Sequence, residues 1–246
     1  MQIFKDKVIL ITGANRGIGQ SLVKALLNNG AGKIYTTCRD LKKMPSFNDD
    51  RIVPLELDIT DDQQVAWVAT VAQDTEILIN NAGTVNSGNI LEGDLLGMDN
   101  DLQVNYFGTI KMMRAFAPIL IRNKPSIMIN IVSIAAYSPL PSIAGYAASK
   151  AALFSAKQSV RIELAKKDVS VYAVNPGAID TDMNKGSDWD MPDPDSTAIQ
   201  ILEGVSDGKL DSIPDEMGQG MYNAWREDPA KLSKLFADLY YAENAK

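Results

Sequence analysis

Six short runs rich in valine and isoleucine recur along the chain, with helix-like stretches between them. They are KVILIT (7–12), KIYTT (33–37), RIVPLEL (51–57), EILIN (76–80), SIMINIV (126–132) and VSVYAV (169–174). Most lack strict apolar–polar alternation, as expected of parallel strands covered on both faces. The stretches at 19–29, 62–72, around 99–122 and 144–167 read as crossover helices. Strand–helix alternation of this kind winds into an open, doubly wound parallel α/β sheet with helices on both faces. Pro54 adds a constraint: it has no N–H to give to a ladder, so the third strand belongs at an edge. The strand order 3-2-1-4-5-6 puts it there. The 246 residues suit a single domain, 1–246, and no internal repeat marks a second.

Beyond residue 177 the texture changes. MNKGSDWDMPDPD (183–195) is acidic and broken by proline, which predicts a loop. Asp195 and Ser196 are placed to cap a helix over 197–205. KLDSI (209–213) reads as a short last strand, and Asp228-Pro229 opens a helix over 228–242.

The chain contains no histidine, and this excludes Ser-His-Asp and Cys-His nucleophile systems together with every histidine-based zinc site. Acid–base chemistry therefore falls to Tyr, Lys, Asp, Glu or Cys. Cys38 is the only cysteine, so no disulfide closes within the chain, as in a reducing compartment. A formal net charge of −7 without a Lys/Arg cluster disfavours nucleic acid and anionic membranes as partners. No apolar stretch approaches the ~20 residues that span a bilayer. MQIFKDKVILITG reads as a first strand rather than a signal peptide, and the expected location is cytoplasmic. The acids of 183–195 lack the glycine turn and distal glutamate of a calcium loop, and no metal site is expected.

TGANRGIG (12–19) follows the first run and opens the first helix, where backbone N–H groups and the helix dipole can receive a pyrophosphate. Its glycines, Gly13, Gly17 and Gly19, are spaced G-x-x-x-G-x-G, not G-x-G-x-x-G. Taken alone, the pattern also fits a plain strand-to-helix turn with glycines needed for packing. At the end of the second strand no carboxylate stands where one would bond an adenosine ribose 2′-OH. Arg39 is there instead and, with Arg16, could clamp a 2′-phosphate, which favours NADP over NAD. Asp40 is the competing residue, one position late and suited to cap the next short helix. Tyr146 and Lys150 in GYAASK lie four residues apart on one helix face. Ser133 lies just past the fifth strand, at the carboxyl edge where ligands collect in such sheets. A Tyr-x-x-x-Lys alone is most often a solvated helix face.

Together, TGANRGIG, NNAG (80–83), Ser133, Tyr146-x-x-x-Lys150 and NPG (175–177) with Thr181 form an ordered set. Over about residues 5–182 this set closely resembles the short-chain dehydrogenase/reductase family in its compact form, with a Rossmann-type single domain. The resemblance implies an NADP(H)-dependent oxidoreductase that interconverts a ketone or aldehyde and an alcohol. It assigns Gly13, Asn15, Arg16, Gly17, Ile18 and Gly19 to the nucleotide loop, and Asp58 with Ile59 to adenine. Asn81, Ala82 and Gly83 would support the adenosine ribose and nicotinamide sides, and Pro176, Gly177, Ile179 and Thr181 the nicotinamide. Tyr146 would be the acid/base and Ser133 would hold the substrate oxygen. Lys150 would bind the nicotinamide ribose and depress the tyrosine pKa, and Asn105 would support a proton relay while bending its helix.

The resemblance also implies a substrate lid, placed around 183–205. Met183, Trp189 and Met191, with Tyr137 and Leu140, hint at a partly apolar pocket. The tail 206–246 departs from the family's usual closing strand, which points to a homodimer through the long helices, with a tetramer as the alternative. Two other functions stay open: a non-catalytic NADP-binding sensor or scaffold, and an epimerase or dehydratase of the longer branch.

Overall fold

The computed structural model describes residues 1–243, which build one seven-stranded sheet with helices packed on both faces. The strands are β1 Val8–Ile11, β2 Lys33–Cys38, β3 Ile52–Glu56, β4 Ile77–Asn80, β5 Ser126–Ile131, β6 Val169–Val174 and β7 Asp211–Ser212. All pair in parallel, in the order β3-β2-β1-β4-β5-β6-β7. Pro54 does lie on the edge strand β3, opposite Thr36 of β2. The predicted strand at 209–213 shrinks to the two residues of β7, which extend the sheet beyond β6.

Successive residues of each strand feed opposite layers, because side chains alternate across a pleated sheet. Ile9, Ile11, Ile77, Ile79, Ile129 and Ile131 enter a core with Leu22, Val23 and Leu26 of α1 (Gly17–Asn28). Their neighbours Leu10, Leu78 and Met128 enter the other core. That core is shared with α2 (Asp62–Val71), α4 (Thr109–Arg122) and α5 (Ala144–Leu164) through Val68, Phe116 and Leu153. This two-sided burial is why the runs read as nearly continuous apolar segments.

The single helix expected around 99–122 is broken into three pieces. α3 (Leu95–Asp101) passes into a π-helical stretch, Leu102–Gly108, and then into α4. Asn105 sits at the middle of the π stretch, where a bend was expected and the helix widens.

Two further differences lie downstream. α6 runs Pro194–Ser206 and is capped by Asp193, whose carboxylate accepts from Asp195 N (2.9 Å) and Ser196 N (3.0 Å). Asp195 and Ser196 are thus inside the helix they were expected to cap; proline at its first position is well tolerated there. Asp195 instead accepts from the Ser21 hydroxyl of α1. Ala198, Ile201, Leu202 and Val205 of α6 lie in the α1-side core. Most of the predicted lid's second half therefore covers the sheet, and 183–193 is left as the loop. The tail holds two helices, α7 (Glu216–Glu227) and α8 (Pro229–Glu243), of which only the second was expected.

Candidate active site

Loops leaving the carboxyl ends of the strands surround a cleft of about 1160 Å³. That exceeds the ~300–1,000 Å³ usual for one small ligand and leaves room for a dinucleotide beside a substrate. Its walls include Gly13, Asn15, Arg16, Gly17, Ile18 and Gly19, then Arg39, Asp58, Ile59, Asn81, Ala82 and Gly83. They continue through Ser133, Tyr146 and Lys150 to Pro176, Gly177, Ile179 and Thr181. Every residue assigned to cofactor or catalysis in the sequence thus meets at one cleft except Asn105, which is fully buried behind it; Met191, expected at the apolar pocket, is not among the lining residues.

The glycine loop combines close packing with exposed donors. Gly13 has φ +66°, and a Cβ there would stand 2.9 Å from Ala82 Cα. A Cβ on Gly19 would stand 2.1 Å from the Gly13 carbonyl oxygen. Two of the three glycines are therefore demanded by the protein's own packing, which locks the first loop against the NNAG segment. Asn81 completes the lock: its Nδ2 donates to the carbonyls of Thr12 (3.0 Å) and Gly13 (2.9 Å). The Thr12 hydroxyl in turn accepts from Asn81 N and Ala82 N, each at 3.0 Å. The N-terminus of α1 has no side-chain cap, so its first amides and dipole can serve an anion such as a pyrophosphate.

At the end of β2, the Asp40 carboxylate accepts from Lys42 N (3.0 Å) and caps the 3₁₀ turn Leu41–Lys43. Asp40, the acid that follows Arg39, is therefore engaged as a cap. Arg39, Arg16 and Lys43 line this end of the cleft, and Lys43 is a cation that sequence reasoning passed over. Arg16 pairs with Asp182 across the mouth at 3.5 Å, both largely exposed, so the pair holds little energy and can yield to a ligand.

At the other end, α5 brings Tyr146 and Lys150 onto one face, with Lys150 Nζ 5.6 Å from the phenol ring centroid. Lys150 is buried and donates to the Ile131 carbonyl at 3.0 Å. Burial pushes its pKa down to about 8, opposed by the negative charge of buried Asp101. Ser133 caps a 3₁₀ turn, Ile134–Ala136, its hydroxyl accepting from Ala135 N (3.1 Å). Burial raises the Tyr146 phenol; hydrogen bonding with the Ser133 side chain lowers it, and the Asp101 charge raises it again. Desolvation is the largest of these influences on the phenol, and the Lys150 ammonium donates to the Ile131 carbonyl.

Asn105 Oδ1 accepts from Thr84 N, and its Nδ2 donates to Thr84 O and Ser149 Oγ, all at 2.9 Å. Its amide thus clamps the loop after β4 to α5. With both donor and acceptor functions engaged, it positions the site from behind and does not face the cleft.

The carboxyl-terminal helices contribute what sequence reasoning missed. Asp215, buried at the start of α7, accepts from Gly177 N (2.8 Å) and Gly218 N (2.7 Å). Tyr137 was expected in a pocket, but its ring packs against Phe154, Tyr222 and Trp225 and anchors α7 beside the Ser133 turn. Met183, Trp189 and Leu140 do line the cleft, joined by Met221 of α7 and by Phe236 and Tyr240 of α8. The Asp-x-x-Gly pattern at 215–218 signals a helix start. Its long-range partner Gly177, 38 residues earlier, has no such local signal.

Among the described residues no helix is long and apolar enough to cross a membrane. Comparison with known proteins places this arrangement. The chain is 33% identical over 196 residues to an uncharacterized oxidoreductase of Staphylococcus saprophyticus, covering 75% of this chain and 83% of that protein. It superposes on a short chain dehydrogenase from Burkholderia cenocepacia, solved in complex with NADP, with a TM-score of 0.91 and 37% identity over 96% and 99% of the two chains. A Burkholderia phymatum relative solved in complex with NAD shares the fold, with a TM-score of 0.83 at 20% identity over 94% and 96% of the chains. The short chain dehydrogenase family model matches residues 7–191. With the Rossmann-like parallel sheet and the strand-end cleft already in place, that match over most of the length makes the chain an oxidoreductase of the short chain dehydrogenase family.

Proposed function

We propose that the protein is an NADP(H)-dependent oxidoreductase that interconverts a ketone or aldehyde and the corresponding alcohol. The observation that carries this reading is the shared cleft: Ser133, Tyr146 and Lys150 line one end, and the glycine loop with Arg16 and Arg39 lines the other. The choice of NADP rests on Arg39, Arg16 and Lys43 at the nucleotide end and on Asp40 being engaged as a helix cap. The NADP complex of the Burkholderia cenocepacia relative supports the same choice.

When bound, NADPH would supply a hydride to the carbonyl carbon, and NADP⁺ would accept one from the alcohol. Gly13 to Gly19 and the N-terminus of α1 would hold the pyrophosphate, and Asp58 with Ile59 would border the adenine. Asn81 to Gly83, Pro176, Gly177, Ile179 and Thr181 would enclose the nicotinamide side, where Lys150 would bind the ribose. Carbonyl reduction builds negative charge on the substrate oxygen. The Ser133 and Tyr146 hydroxyls donate to that oxygen, and Tyr146 delivers its proton to form the alcohol. In the reverse direction the phenolate removes that proton. Asn105 acts through the backbone it clamps.

A ketone and aldehyde panel with NADPH tests the reading, with Tyr146→Phe as its control. Turnover is expected to fall ~10²–10⁴-fold in the variant while NADPH binding is retained. Near wild-type turnover by Tyr146→Phe on a verified substrate sinks the mechanism.

A further inference from the structure

The substrate end of the cleft differs in chemistry from the nucleotide end. Met183, Trp189, Leu140, Met221, Phe236 and Tyr240, drawn from the 183–190 loop, the Ser133 loop and both terminal helices, give it apolar and aromatic surface beside the small polar Ser138, Ser142 and Ser187. The roof is built in place. Leu232 and Phe236 of α8 are 3% and 5% exposed. Tyr240 Oη accepts from Asn89 Nδ2 at 3.3 Å, which ties α8 to the loop after β4. Asp215 ties the start of α7 to the Gly177 turn. The roof is thus attached to the loops that follow β4 and β6.

Charge narrows what can enter. Apart from Lys150, the cation lining this end is Lys185, which is exposed and flanked by Asp182 and Asp188. An anionic substrate would lose water against methionine and aromatic side chains, and the cations at the mouth are already met by acids, Arg16 by Asp182 at 3.5 Å and Lys185 by its sequence neighbours Asp182 and Asp188. A charge buried without a partner is strongly disfavoured.

Resting on the carbonyl-reductase reading, we propose that the substrate is an uncharged, apolar ketone or aldehyde of aryl or branched-alkyl type. The α7–α8 roof selects it through Met221 and Phe236. Keto acids and other anionic carbonyls are rejected.

The test separates binding from turnover. Methyl benzoate and benzoate, a neutral and an anionic ring of similar shape that have no ketone or aldehyde group, are titrated into the protein saturated with NADP⁺. Ligand-observed NMR gives the two affinities. The ester is expected to bind at least about tenfold tighter, since benzoate must desolvate its charge. Phe236→Ala is expected to weaken the ester. Met221→Arg, at a partly exposed position where folding is less at risk, is expected to invert the preference. Benzoate binding as tightly as the ester, or a preference unmoved by Met221→Arg, overturns the inference.

Turnover of methyl benzoylformate and benzoylformate with NADPH then tests the underlying reading. Faster reduction of the ester upholds both. Faster reduction of the acid overturns the substrate class alone. Ester binding with no turnover of any carbonyl in the panel overturns the reductase reading and leaves the apolar pocket standing.

Discussion

At the nucleotide end of the cleft, the walls are mostly loops leaving neighbouring strands, held by bonds between backbone and short side chains such as Thr12 and Asn81. At the substrate end, part of the wall is carried by helices close to the end of the chain. They are joined to the catalytic loops by a few long-range contacts: Asp215 to Gly177, Tyr137 to Tyr222 and Trp225, and Asn89 to Tyr240. The first end gains its geometry from the sheet itself. The second depends on side chains meeting across the fold, and can therefore be altered with little effect on the first.

Asp215→Ala should test that separation most severely. It removes a helix cap and leaves the Gly177 and Gly218 N–H groups without their acceptor, a loss of about 2–4 kcal/mol. Denaturant unfolding should register it, and NADPH affinity should fall less than the KM for substrate rises. If both change by the same factor, the two ends are not separable.

Arg39→Asp probes the opposite end. Removing one charge-assisted bond and adding a repelling charge should shift the NADPH-to-NADH affinity ratio about 10- to 100-fold, read by fluorescence titration. Unfolding stability should stay near wild type. An unmoved ratio would exclude Arg39 from cofactor selection.

Lys150→Met addresses the junction between the two ends. The Lys150 ammonium has a folded pKa of about 8, below its ordinary value of 10.5. The unfolded chain therefore holds the proton more tightly between those values, and the cost of burying the charge is full below about pH 8 and fades as pH rises toward 10.5. The variant should lose activity yet melt about 2–4 °C higher at pH 7, with the advantage shrinking by pH 10. A lower Tm at pH 7 would mean that the bond to the Ile131 carbonyl outweighs desolvation.

The contrast between the two ends also explains what could be read from residues alone. Strand runs, the edge position of Pro54 and the meeting of Gly13, Ser133, Tyr146 and Lys150 follow from periodicity and from motifs a few residues long. Asp40 as a cap was legible for the same reason, since its partner Lys42 is two residues away. The π-helical widening at Asn105 was anticipated only as a bend, because the partners of its amide, Thr84 and Ser149, lie elsewhere in the chain. α7 and the cleft-facing Phe236 and Tyr240 carry no short motif that announces their destination. Local chemistry placed the α6 cap two residues late, because Asp193 and Asp195 are equally plausible until the apolar face of the helix is docked on α1.

Strands that feed two cores at once also act as a ruler for the site. Ile77 and Ile79 of β4 face one layer and Leu78 the other, so a one-residue slip would exchange layers along the whole strand. Such an error cannot be absorbed on a solvent face, because this strand has none. The loop after β4 is thereby delivered at a fixed distance along the sheet, and loops leaving the other doubly covered strands are indexed in the same way. The pieces of the cleft can then vary in sequence without drifting apart, since their spacing is set by the packing of residues that never touch a ligand.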